Sequence, residues 1–208
     1  MAGRILLVAL LLAACGPSAA GTADAAQAPR PANAQTALFA GGCFWSAERD
    51  IEAVPGVHSA VSGFAGGHIA NPSYDQVTGG RTGHLEAVQV VFDPARISYA
   101  ALVRRFLRTI DPTDAGGQFC DRGESYRTAI FALNPAQQRA AEAARAEAGR
   151  ALRAPIATRV RPAARFYPAE AYHQDYARRN PGHYNRYRTG CGKDARLRAV
   201  WGAEAAAH

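Results

Sequence analysis

LFAGGCFWSAERD, residues 38 to 50, reads as a strand that turns through two glycines directly into a helix. Leu38-Phe39-Ala40 is a short apolar run of the kind that forms a buried strand, and it runs into Gly41-Gly42. From Phe44 to about Ala53 the residues suit a helix, which Pro55-Gly56 stops. Cys43 then falls in the first turn, where unpaired backbone N–H groups and the helix dipole favour negative charge. Such a position lowers a thiol's pKa and makes the thiolate available. The glycines let another molecule approach the backbone closely, and Phe44 and Trp45 offer an apolar recess beside the sulfur. A small, inert core cysteine is the plain alternative, but it requires neither the double glycine nor the flanking aromatics.

Working outward, Val57 to Phe64 is strand-like, and AGGHIANPSYDQVTGGRTG is a long loop rich in glycine, asparagine and proline. HLEAVQVVFD alternates, so that His84, Glu86, Val88, Val90 and Phe92 share one face of a strand. SYAALVRRFLRTI is an amphipathic helix with Ser98 as N-cap and Leu102, Phe106 and Ile110 in one stripe. DPTDAGGQFCDRGES is a second long loop before the strand YRTAIFAL. Asn134-Pro135 then opens a helix to about Leu152, with Asn as cap and Pro at its first position. A strand near 157–166 and a short helix in AEAYHQDYARR complete the body. Strands and helices mixed without regular βαβ repetition predict an α+β fold, a two-layer sandwich with a mixed sheet flanked by helices and long loops.

Glu86 is the second site candidate, because the alternation aims a carboxylate where a core belongs. A buried carboxyl tends to keep its proton, which suits a proton donor. A salt bridge to one of many arginines at the strand's open end is the bland reading. Tyr74 in the first long loop, and Asp121 and Tyr126 around the end of the second, could hold a polar oxygen by hydrogen bonds, and loops this long in a compact domain are usually functional. His84 and Glu86 form an H-x-E pair that with Cys120 suggests zinc, but the downstream P-C-x-x-C of the zinc deaminases is missing, so no metal is expected. His173, beside Tyr172 and Tyr176, reads as a packing or supporting residue.

The chain start is of a different kind. In MAGRILLVALLLAAC, Arg4 precedes an apolar run from Ile5 to Leu12 that is too short to span a bilayer, which takes about 20 residues. Leu12 to Cys15, LAAC, resembles a bacterial lipobox, with Cys15 as the acylated residue; an ordinary signal peptide is the alternative. GPSAAGTADAAQAPRPANAQTA cannot bury a core and reads as a tether. Residues 1–15 are therefore expected to be a lipoprotein signal, 16–36 a tether, 37–190 the folded domain and 191–208 a C-terminal tail. The protein is expected to be exported and lipid-anchored in the bacterial cell envelope, facing the periplasm. With Cys15 acylated, Cys43, Cys120 and Cys191 remain, an odd count without a CxxC pair, which points to thiol chemistry rather than a closed disulfide framework. The formal charge of +7 is spread as scattered arginines with no basic block, so nucleic acid is not an expected partner.

GGCFWSAERDIEAVPGV, SGFAGGHIANPSYDQVTGGRTGHLEAV, FDPARISYAALVRRFL, DPTDAGGQFCDRGESYRTAIF and FYPAEAYHQDYARRNPGHY together resemble the A-type peptide-methionine (S)-S-oxide reductases over about residues 38 to 190. The resemblance implies an α/β-roll sandwich and a thiol mechanism without metal or organic cofactor. It implies that Cys43 attacks the sulfoxide sulfur and becomes a sulfenic acid as methionine leaves. Glu86 then corresponds to the acid that protonates the sulfoxide oxygen, Tyr74 and Tyr126 to the phenols that hold it, and Asp121 to their polar neighbour. Phe44 and Trp45 correspond to the pocket for the substrate's S-methyl group. The substrates implied are oxidised methionine in proteins and free methionine sulfoxide, with a thioredoxin-like protein as reductant. The protein is separately expected to be a monomer. The tail, NPGHYNRYRTGCGKDARLRAVWG, departs from the GYCG type of ending that carries the resolving cysteine in most members. Cys191, between Gly190 and Gly192, is the favoured resolving thiol, on a tail read as mobile; Cys120, adjacent to Asp121, is the alternative, and a relay through both is open. Outside the family, a Cys-dependent acyl transferase or hydrolase using His84 or His173 as base, and a lipid-anchored peptide-binding module, are the rival readings.

Overall fold

The computed structural model describes residues 30–205. The expected signal segment with Cys15, and residues 16–29 of the expected tether, lie outside the described residues. The chain runs β1 (Gln35–Gly41), α1 (Phe44–Glu52), β2 (Val57–Ala65), α2 (Tyr74–Thr78), β3 (Leu85–Phe92) and α3 (Tyr99–Leu107). It continues through β4 (Gly117–Gln118), β5 (Asp121–Arg122), β6 (Thr128–Ala132), α4 (Pro135–Leu152), β7 (Arg159–Pro162), β8 (Phe166–Pro168), α5 (Tyr176–Arg179), α6 (Pro181–Gly190) and α7 (Lys193–Trp201). Six strands form one sheet in the order β7-β6-β1-β3-β2-β8, while β4 and β5 form a separate small hairpin. Only β6 and β7 pair in parallel, so the sheet is mixed and the fold is α+β, as the sequence predicts.

Strand alternation divides the sheet into two faces. Ala37 and Phe39 of β1, Phe64 of β2, Val88, Val90 and Phe92 of β3 and Ile130 of β6 turn toward the main core. Residues from α1, α3, α4 and α7 pack against them, among them Ile51, Leu102, Phe106, Ala144, Leu197 and Trp201. Phe106 of the predicted stripe stacks on Phe39 with ring centroids 4.6 Å apart. The opposite face carries Leu38, Ala40, Leu85, Ala87 and Phe131, packed by Leu133, Ala164 and Phe166. The two best-marked helix starts form as expected: Ser98 accepts from the Ala101 N–H and Asn134 from the Gln137 N–H.

Several local expectations are corrected. The first long loop contains α2, opened by a capping box in which Ser73 and Gln76 each accept the other's backbone N–H. The expected strand over 157–166 is two short strands on opposite edges of the sheet, β7 and β8. Residues 181–201 form two helices that are part of the body. They are held by charge: the Asp50 carboxylate of α1, buried with its side chain, pairs with Arg188 at 2.9 Å and Lys193 at 2.8 Å. Arg188 also pairs with Asp194 at 2.6 Å and donates to the Tyr184 hydroxyl. Burying these charges costs solvation that only close pairing offsets, so the cluster fixes one register of α6 and α7 against α1.

Candidate active site

Cys43 is the N-cap of α1, between β1 and the helix, and its own side chain makes no capping bond. Its carbonyl accepts the N–H groups of Ser46 and Ala47. Gly42 stands at φ +79°, and a Cβ there would lie 2.5 Å from Cβ of Gln118. Gln118 is buried; its amide accepts from the Asp111 N–H and donates to the carbonyls of Asp111 and Gly117. The glycine turn therefore admits the β4–β5 hairpin, which brings Asp121 within electrostatic reach of the cysteine.

Glu86 lies on the core face of β3, opposite Phe64 in register, and its Oε2 accepts the Phe44 N–H at 2.9 Å. The first free N–H of α1 is thus satisfied by the carboxyl that faces the thiol. Burial pushes the Glu86 pKa up to about 8, against the pull of the Phe44 bond and with a small push from Asp121. At neutral pH Glu86 is therefore a carboxylic acid with a proton to give.

Tyr74 begins α2 rather than lying in a loop, and its backbone N–H is held by Glu170 Oε1 at 2.9 Å. Tyr126 closes a short 3-10 turn, Glu124–Tyr126, immediately before β6. The two hydroxyls are hydrogen-bonded to each other, and both feel the Glu86 charge. Burial, with that charge, raises Tyr74 to about 12 and Tyr126 further, so both remain donors.

Asp121 follows Cys120 in β5, and burial raises its pKa while Tyr187 and Lys193 pull it down. Its Oδ2 accepts the Tyr187 hydroxyl of α6, and the same phenol is in hydrogen-bond contact with the Cys43 thiol. The sequence reading missed Tyr187. The signal available was its place four residues before Cys191, one helical turn on the same face.

The thiol's own state departs from expectation. Its pKa is raised, first by burial and then by the Glu86 and Asp121 charges, against the pull of Tyr187 and the Trp45 N–H. Loss of solvent outweighs the helix N-terminus here, so Cys43 rests as a thiol.

The aromatic wall is more extensive than Phe44 and Trp45. Phe44 is buried against Phe64, Tyr74 and His173. Trp45 stacks on Tyr176 with centroids 3.8 Å apart and meets Tyr187 edge-on. His173 accepts the Trp45 indole N–H on Nδ1 at 3.0 Å. Burial lowers the His173 pKa, which keeps the ring neutral and able to accept. His173 thus has the supporting place the sequence suggested. His84 is tied to backbone through both nitrogens, to Gly67 N–H at 3.1 Å and the Ile69 carbonyl at 2.7 Å. Neither histidine is hydrogen-bonded to Cys43, as the acyl-transferase reading requires.

Cys120 and Cys191 form a disulfide across 71 residues of sequence, and Cys43 is the free cysteine among the described residues. The pair lines an open cleft of about 500 Å³ with Asp111, Thr113, Asp114, Phe119 and Arg196. Cys191 caps α6 between Arg188 and Lys193, the two cations gripped by Asp50, so it is carried by helices clamped to α1.

A family model described as peptide methionine sulfoxide reductase matches residues 35–205. The chain belongs to the peptide methionine sulfoxide reductase family. It is 52% identical to peptide methionine sulfoxide reductase MsrA 2 of Caulobacter vibrioides, over 95% of this chain and 97% of that protein. Among solved structures it is similar to methionine sulfoxide reductase A of Corynebacterium diphtheriae, with a TM-score of 0.65 and 34% identity over 73% of this chain and 77% of that one. The reduced form of Mxr1 from Saccharomyces cerevisiae matches with a TM-score of 0.68 and 32% identity, over 73% of this chain and 88% of that one. The sheet order and flanking helices described above are thus those of a family fold. The chain is an oxidoreductase of this family and reduces methionine sulfoxide.

Proposed function

We propose that the protein reduces the S epimer of methionine sulfoxide, in polypeptides and as the free amino acid, by a three-cysteine relay. The observation that carries this reading is the group at the start of α1, a Cys43 thiol beside the neutral carboxyl of Glu86 and the hydrogen-bonded Tyr187–Asp121 pair, with a disulfide that joins the residue before Asp121 to the end of the helix carrying Tyr187. The sulfoxide oxygen lies toward Tyr74, Tyr126 and Glu86, and the S-methyl group lies against Phe44 and Trp45. Glu86 protonates the oxygen, a poor leaving group until then, while the Cys43 sulfur attacks the sulfoxide sulfur. The oxygen passes to Cys43 as a sulfenic acid, methionine leaves, and the thiol proton returns to Glu86. Oxygen and protons balance without an added co-reactant.

Cys191 then displaces hydroxide from the sulfenic sulfur, which releases water and forms a Cys43–Cys191 disulfide. Cys120 attacks Cys191, frees the Cys43 thiol and leaves the Cys120–Cys191 pair. Cys120 is exposed, so a thioredoxin-like dithiol can reach this last disulfide. One turnover without reductant, followed by mapping of disulfides, tests the order. A Cys120→Ser protein is expected to trap Cys43–Cys191, and Cys191→Ser to stop at the sulfenic acid. Trapping of Cys43–Cys120 in the Cys191→Ser protein would reverse the two roles.

We also place the enzyme on a lipid anchor at the cell envelope, on the strength of LAAC at Leu12–Cys15 and the Ala/Pro-rich stretch after it. Metabolic labelling with a fatty acid is expected to mark the parent protein and not Cys15→Ala. Equal label in both would remove the anchor.

A further inference from the structure

Asp121 has two differently employed oxygens. Oδ2 accepts the Tyr187 hydroxyl, while Oδ1 turns toward the sulfurs, 3.9 Å from Cys120 Sγ. The two sulfurs and a carboxylate oxygen of Asp121 lie within 4.8 Å of one another. A tetrahedral zinc ion with Zn–S bonds of about 2.3 Å holds its sulfur ligands about 3.8 Å apart. Once the disulfide is opened, the three donors therefore span one ion's coordination sphere with only local movement. The donor set, two soft thiolates and one carboxylate, suits zinc over magnesium or calcium. Tyr187, donating to the carboxylate oxygen on the far side, has the place of an outer-shell partner that orients a ligand. The cleft beside the sulfurs gives a path for entry, with the Asp111 and Asp114 carboxylates along its wall. Of the nearby cations, Arg196 pairs with Asp111 and Arg122 with Asp114, while Lys193 is held by Asp50 and also favours the charged form of Asp121.

We infer that the dithiol form binds one zinc ion through Cys120, Cys191 and Asp121, with water in the fourth position. Two thiol protons are released on binding, and the cysteines are first reduced by the same external dithiol that completes the catalytic cycle. The disulfide and the metal are alternatives for the same two sulfurs. Zinc in this site leaves Cys43 and Glu86 in place and removes the thiols that resolve the sulfenic acid. Its effect on catalysis rests on the relay proposed above; the site itself rests only on the geometry.

The test begins with protein reduced by a phosphine, freed of it, and titrated with zinc against a chromophoric chelator. Cobalt serves as a spectroscopic substitute. One equivalent is expected, with a thiolate-to-cobalt charge-transfer band, in the parent and in Cys43→Ser. Binding should weaken at least tenfold in Cys120→Ser and in Cys191→Ser, and about tenfold in Asp121→Asn. The oxidised protein should bind none. Failure to take up one equivalent overturns the inference, as does uptake that persists in Cys120→Ser or in oxidised protein, or uptake that Cys43→Ser abolishes. In the assay, one equivalent of zinc is expected to lower steady-state turnover while one methionine per enzyme still forms. If zinc binds as described but turnover is untouched, the site stands and the relay is wrong.

Discussion

Cys43→Ser is expected to lose methionine sulfoxide reduction by on the order of 10⁴-fold or more while keeping the fold. A hydroxyl occupies less space than a thiol at the start of α1, and the bond from the Phe44 N–H to Glu86 does not involve the cysteine side chain. Tyr187 keeps its hydrogen bond to Asp121 as well. What disappears is the chemistry. An oxygen nucleophile that accepts the sulfoxide oxygen would become a hydroperoxide, a far worse product than a sulfenic acid. The measurement is turnover of each sulfoxide epimer with dithiothreitol, beside a thermal melt. Parent activity on the S epimer alone, absent in the variant at an unchanged melting temperature, is the expected pair. Residual activity within tenfold of the parent would remove Cys43 from the reaction.

The second large effect belongs to Glu86. Glu86→Gln keeps an oxygen to accept the Phe44 N–H but has no proton to give, so kcat should fall by about 10²–10³-fold. The pH dependence carries the sign. In the proposed mechanism the acid form is the working form, and with a pKa raised to about 8 it is present below that pH and lost above it. Parent kcat/KM is therefore expected to be level through neutrality and to decline above about pH 8, with Glu86→Gln lacking that decline. Stability moves the same way. The folded state holds this proton up to about pH 8, whereas an unfolded glutamate releases it near 4.5. The parent then loses stability as pH rises between those values, and the variant does not. A variant that keeps both the parent's rate and its alkaline limb would take Glu86 out of the proton step.

What could be read from the sequence was whatever local patterns dictate. Period-two alternation in HLEAVQVVFD puts Glu86 on the core face before any fold is known. Gly41-Gly42 before an aromatic pair locates the helix start, and Asn134-Pro135 with the run to Leu152 gives α4 to the residue. Long-range closure was not legible. Residues 181–201 are rich in arginine and glycine and resemble a tail. Their burial depends on an ion cluster centred on Asp50, more than 130 positions earlier, which no local window contains. The loop 111–126 was recognised as functional, but its path is set by Gln118 bonds and by the Gly42 turn it packs on. The pairing of Cys120 with Cys191, and the arrival of Tyr187 at Cys43, both follow from those two closures. The thiol's raised pKa was misjudged for a related reason. Helix position can be seen in a sequence, whereas the desolvation that overrides it needs every wall of the site.

The aromatic wall has a further use. The chain contains two tryptophans, and the fold gives them separate addresses. Trp45 lies between Tyr176 and Tyr187 with its indole N–H on His173, whereas Trp201 is buried at the end of α7 and donates to the Ile110 carbonyl at 3.0 Å. Tryptophan emission from this protein is therefore a sum of two lamps, one two residues from Cys43, at the proposed methyl slot, and one at the C-terminal end of α7. With Trp201 replaced by phenylalanine, the remaining tryptophan light comes from a ring that meets Tyr187, the phenol in hydrogen-bond contact with Cys43. Its intensity is then expected to change as the proposed slot fills and as Cys43 is oxidised, a readout that needs neither a dye nor a coupled assay.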